Sequence, residues 1–145
     1  MSDLTPELQA IYSGRYWAHM GIEVVEVGDG RCTSRIALKD HHFNYNDVVH
    51  GGVISGLIDS AAGLAVRSVR DPEAIRDRPH ATSDLHVSYL GAAMGTELVA
   101  RSRVLKAGRT AIFTEVEVFD DRDRMVARGS VTFVIAAGRP LRDQE

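Results

Sequence analysis

GGVISGLIDSAAGLAV, residues 51–66, is the stretch on which the reading of this chain turns: sixteen positions with one ionisable side chain, Asp59. Wound as a helix, it is apolar or small on nearly every face, which predicts a helix buried in a core. A carboxylate there is costly, because an ionised group taken out of water needs compensating partners. Desolvation also raises a carboxylate's pKa, which is how enzymes often prepare an acid for work. The plain alternative is a structural ion pair with an arginine from elsewhere in the chain.

Working outward, Thr5-Pro6-Glu7 reads as a helix start, with a hydroxyl cap and a proline in the first turn. That helix is expected to run to about Trp17 or Ala18 and to stop at His19-Met20-Gly21. Residues 21–27 and 31–39 read as strands joined by a hairpin at Gly28-Asp29-Gly30. Residues 40–49 read as a polar loop leading into the central helix, expected over about residues 51–69. A charged connection bracketed by prolines, residues 71–80, is expected to be exposed. Four strands follow, over about residues 81–90, 96–105, 110–119 and 125–136, with turns at residues 106–109 and 120–123. Six strands with short turns and one apolar helix predict an α+β architecture, an antiparallel sheet with a helix lying across it. The tail from residue 138 is expected to fray.

The 145 residues suit a single domain. A net charge of −3 gives no basic footprint for nucleic acid. The apolar stretch is too interrupted for a membrane span, and no secretory leader is visible at the N-terminus. Cys32 is the only cysteine, so a reducing, cytoplasmic setting is expected. His41, His42 and His50 do not follow a metal-ligand spacing such as HExxH, so no metal site is expected.

The chain resembles the hotdog-fold acyl-CoA thioesterases, in particular the PaaI-like branch associated with phenylacetate degradation. The resemblance spans about residues 19–136. It is sharpest at NYNDVVHGGVISGLIDSAAGLA (residues 44–65), with an Asn, a His-Gly-Gly six residues on, and an acid nine residues after the His. It resumes at TSDLHVSYL (residues 82–90) and KAGRT (residues 106–110). Asp47 stands where many relatives have glycine, and the connection over residues 67–81 is longer than usual. The resemblance implies a six-stranded antiparallel sheet wrapped around a long central helix, with the N-terminal helix an addition. It also implies hydrolysis of an acyl-CoA to free acid and coenzyme A, with no separate cofactor. The partner is a second copy of the chain, in a homodimer or, where dimers pair again, a homotetramer.

Roles are implied residue by residue. The Gly51 N–H, beside Gly52 at the helix N-terminus, polarises the thioester carbonyl, a position where unpaired amides and the helix dipole favour negative charge. Asp59 attacks the carbonyl or draws a proton from water. It lies about 12 Å along the helix from its own Gly51, and the family resolves this by pairing one subunit's acid with the other's helix start. Asn44 orients the carbonyl or the water, although a loop Asn commonly bonds its own backbone. Thr82 places a hydroxyl near the acid. His50 positions the loop or contacts the ligand, and Lys106 and Arg109 offer cations to the coenzyme A phosphates. Tyr89, His86 and the loop over residues 71–79 are expected to shape the acyl pocket.

The competing readings are a hotdog acyl-thioester dehydratase or hydratase, a non-catalytic acyl-CoA-binding protein, and a purely structural dimer. A dehydratase's helix acid would fall near Gly56, which has no side chain to use. A binding protein needs no buried carboxylate.

Overall fold

The computed structural model describes Ala10 and residues 12–137. The proposed helix start at Thr5-Pro6-Glu7 and the tail from residue 138 lie outside the described residues. An unbroken helix to Trp17 is not what forms: a turn at Ser13-Gly14 intervenes, and α1 spans Arg15–Met20. Gly21 ends it in the left-handed region, at φ 68°, where glycine carries no steric penalty.

Strands β1 (Ile22–Gly28) and β2 (Arg31–Ala37) form a hairpin whose loop residues Asp29 and Gly30 both have positive φ, 49° and 74°. That geometry matches the twist of the paired strands. The Gly30 N–H donates to Ser68 Oγ at 2.8 Å, which ties the hairpin to the end of the central helix. Alternation in β1 is only partial because the register slips at Val25, which bulges out of the ladder.

The loop after β2 makes a short 3₁₀ turn at Asp40–His42 and closes with a bridge between Phe43 and Val49. Asp47 takes φ 58°, the left-handed conformation that a glycine would supply; aspartate is among the few side chains that tolerate it.

The central helix α2 runs Gly51–Ser68. The segment after it is more than an exposed connection: α3 (Pro72–Asp77) forms there, and Ile75 is buried. The Asp71 carboxylate accepts from the Glu73 and Ala74 N–H groups, and Pro72 fits the first turn, where its missing N–H is no loss. Four strands complete the chain: β3 (His80–Tyr89), β4 (Glu97–Ala107), β5 (Ala111–Asp120) and β6 (Met125–Ile135).

All six strands form one antiparallel sheet in the order β1-β2-β4-β5-β6-β3, with α2 across its concave face. Ile54, Leu57, Ile58, Ala61 and Ala65 meet the inward side chains of β2, β4, β5 and β6. Fully burying Leu57 or Ile58 contributes about 1.5–3 kcal/mol each. The expectation that α2 is buried all round is corrected in one respect. Gly52, Gly56, Asp59, Gly63 and Arg67, spaced four, three, four and four residues apart, form a stripe that remains half-buried or exposed. Glycine counts as apolar in a sequence pattern, yet three of them leave this side of the helix open. Asp59 is therefore half-buried within its own chain.

Candidate active site

The start of α2 is held from both sides. The His50 N–H donates to His42 O at 2.8 Å, and His50 Nδ1 accepts the Gly52 N–H at 2.9 Å. A Cβ on Gly52 would lie 2.9 Å from that same Nδ1, so a side chain here would push the His50 ring out of its capping position. Gly51 O accepts from Tyr89 Oη at 3.0 Å, and the Tyr89 ring lies against the Gly51 Cα. The Gly51 N–H has no partner among the described residues. The amide thus stands without a partner among the described residues at the positive end of an eighteen-residue helix.

Two turns on, Thr82 Oγ1 donates to Asp59 Oδ1 at 2.7 Å. β3 slips register between Thr82 and Asp84, and this irregularity lies directly beside the contact with the helix. Asp59 and Thr82 line a cavity of about 430 Å³ walled by Tyr12, Tyr16, Trp17 and Phe133. Tyr12 and Trp17 stack with ring centroids 5.1 Å apart. Burial, and then the nearby charge of Asp59, hold the Tyr16 phenol above its ordinary value. Burial pushes Tyr12 up to about 12.

A second cavity, of about 500 Å³, lies beside the helix start and is lined by Tyr16, His19, Met20, His41, Phe43, His50, Gly52 and Val53. Tyr16 is the wall between the two. Its hydroxyl sits where a Cβ on Gly56 would be, 2.0 Å from that point, so this turn of α2 admits no side chain without displacing the tyrosine.

Of the residues singled out from the sequence, Asp59 and Thr82 meet, and His50 and Gly52 meet at the helix start. Gly51 stands about 12 Å along the axis from Asp59 and lines neither cavity. The Asn44 carboxamide oxygen accepts the Asn46 N–H at 2.9 Å, so part of its capacity goes to its own loop. Lys106 and Arg109 are exposed at the turn between β4 and β5. This is the end of the sheet where Thr82 pairs with Phe133 and Phe133 with Ile112. Tyr89 packs on Gly51, while neither it nor His86 lines a cavity. Sequence reasoning missed Tyr16, Trp17 and Phe133 as lining of the cavity beside Asp59.

Comparison with known proteins bears on this arrangement. Residues 46–127 match the family model of the thioesterase superfamily. Human acyl-coenzyme A thioesterase 13 is 26% identical over 113 residues, 77% of each chain. The solved structure of conserved protein PA5202 from Pseudomonas aeruginosa is 31% identical, with a TM-score of 0.80 over 88% of this chain and 98% of that one. The Escherichia coli PaaI protein of the phenylacetic acid degradation operon shares the fold at 19% identity, with a TM-score of 0.78 over 90% of this chain and 91% of that one.

Proposed function

The chain belongs to the thioesterase superfamily and has its hotdog fold, and we propose that it hydrolyses acyl-CoA thioesters at sites shared between two copies of itself. The observation that carries this reading is the Thr82–Asp59 contact beside an aromatic cavity. Thr82 occupies Oδ1, which leaves Oδ2 to act on the thioester carbonyl as nucleophile, or as general base to a water. Carbonyl oxygen becomes an oxyanion that accepts the Gly51 N–H of the neighbouring subunit. Collapse breaks the C–S bond, and the thiolate leaves readily because a thiol is far more acidic than water. Water supplies the second carboxyl oxygen, so the products are a carboxylate and coenzyme A.

Strand geometry supports the shared site. β3 is the last strand of the sheet, hydrogen-bonded to β6 on one side only, and all ten of its residues are exposed or half-buried. A long unpaired edge is a template for a second strand. Two copies pairing antiparallel through β3 bring the Thr82 end of one against the Tyr89 end of the other. Asp59 belongs to the first end and Gly51 to the second, which closes the gap that one helix cannot. Lys106 and Arg109, exposed near the Thr82 end, would offer cations to the coenzyme A phosphates.

The test is free-thiol release from a panel of acyl-CoAs, comparing the wild type with Asp59→Asn. Turnover should fall by at least ~10²-fold while the protein remains folded, as for loss of a working acid or base. Comparable turnover in the variant would exclude the role of Asp59. An enoyl-CoA hydrated without thiol release would point to a hydratase.

A further inference from the structure

Past Asp59 the open stripe of α2 continues through Gly63 to Arg67, and the aromatic cavity follows it. Among the residues lining that cavity, Asp59 is the only carboxylate and Arg67 the only guanidinium. Arg67 is half-buried, and no carboxylate among the described residues lies within ion-pair distance of it. Its charge is felt at two lining residues: it works against the burial that raises Tyr12, and it adds to the burial that lowers His80. The nearby polar groups are already engaged with one another: Arg70 Nη1 meets His80 Nδ1 at 3.1 Å, and Arg70 Nη2 donates to Arg78 O at 2.7 Å. A half-buried arginine with no counter-charge among the described residues favours an anion, and its planar fork matches a carboxylate.

We propose that the cavity takes acyl groups ending in a carboxylate, with Arg67 as the residue that selects them. The inference rests on the reading that Asp59 acts on the thioester carbonyl. The rise from Asp59 to Arg67 is about 12 Å. Shortened by the reach of the arginine side chain, it suits about four to six methylenes, or one aromatic ring, between the two carbonyl carbons. Tyr16, Trp17 and Phe133 pack against the apolar middle of such a group. The bond broken is still the thioester C–S bond, and the products are a dicarboxylate and coenzyme A.

The experiment compares adipyl-CoA with hexanoyl-CoA, six-carbon acyl groups differing at the far end, in the wild type, Arg67→Met and Arg67→Lys. The wild type should favour adipyl-CoA by about tenfold or more in kcat/KM. Arg67→Met should abolish that preference while leaving hexanoyl-CoA hydrolysis within about threefold, and Arg67→Lys should restore part of it. No preference in the wild type overturns the proposal. So does an equal loss on both CoA esters that disappears with N-acetylcysteamine thioesters, which assigns Arg67 to the nucleotide phosphates. A reading independent of turnover comes from Trp17, the only tryptophan and part of the cavity wall. Its fluorescence should report tighter binding of the thioether S-(5-carboxypentyl)-CoA than of S-hexyl-CoA, with the difference lost in Arg67→Met. If no thioester is hydrolysed yet this binding preference holds, the hydrolytic reading fails and the anion-binding cavity stands. If esters are hydrolysed and no preference appears by either measure, only the present inference fails.

Discussion

Thr82 Oγ1 lies 2.7 Å from Asp59 Oδ1, joining the edge strand of the sheet to the open stripe of the central helix across twenty-three residues of sequence. A hydroxyl held this way fixes one carboxylate oxygen and frees the other. The bond is solvent-exposed, so its effect lies in the orientation of the acid rather than in the stability of the fold. Thr82→Val should lower kcat by about tenfold with little change in thermal stability, and Thr82→Ser should keep most of the activity. Full activity in the valine variant would reduce the contact to packing.

Gly51 is the first residue of α2, where proline is tolerated because the N–H has no helical partner to lose. His50 already has an extended backbone, with ψ 133°, as a residue preceding proline requires. Gly51→Pro therefore removes the proposed oxyanion donor with little disturbance of the fold. kcat should fall by about 10²–10³-fold while circular dichroism and KM change little. An active proline variant would move the oxyanion site elsewhere.

If Asp59 and Gly51 of one site come from different subunits, inactive variants should complement each other. Asp59→Asn and Gly51→Pro, unfolded together and refolded at equal ratio, give mixed dimers with one intact site and one doubly broken site. Random pairing makes about half the dimers mixed, so about a quarter of wild-type activity should return. No recovery from demonstrably mixed dimers would place both groups of a site in one subunit.

His42 supports the helix start from beneath. It is 1% exposed, its Nδ1 accepts the Lys39 N–H at 2.9 Å, and its Nε2 lies 3.0 Å from Met20 O. That pattern fits the neutral ring protonated at Nε2. Burial pulls its pKa below the ordinary 6.5, with His41 and Lys39 adding to the effect and the bond to Met20 opposing it. The unfolded chain therefore binds a proton first as pH falls. Its stabilising contribution is complete above about pH 6.5 and declines as pH drops through that value towards the lower folded one. Denaturant unfolding between pH 7.5 and about 5 should show this fall. His42→Asn, which retains an acceptor near Nδ1 but does not titrate, should flatten the slope at some cost in stability at neutral pH. An unchanged slope would assign the pH dependence to other groups.

Much of this molecule was legible in its residues. The Gly28-Asp29-Gly30 turn signal marked the first hairpin, and β-rich runs between turn signals marked the later strands. Asp59 stood out because one charge among fifteen apolar or small positions needs a reason. The bulge at Val25 shows in the sequence only as imperfect alternation, and α3 hides in a charged segment whose Asp-Pro cap suits a loop equally well. The missed cavity wall has a common cause. Tyr16, Trp17 and Phe133 come from the two ends of the chain, and no local pattern in either segment states what it will face.

The sequence by itself determined the elements, their order, and the residue around which the chemistry is proposed, because propensity, turn geometry and hydrophobic period act over a few neighbouring positions. Only the tertiary structure decided that Thr82 would bond Asp59, that Tyr16 would fill the space above Gly56, and that Arg67 would share a cavity with the acid. Those relationships depend on strand order and on which stripe of α2 the sheet leaves uncovered. Chain closure over many residues sets both, and a local pattern does not contain them.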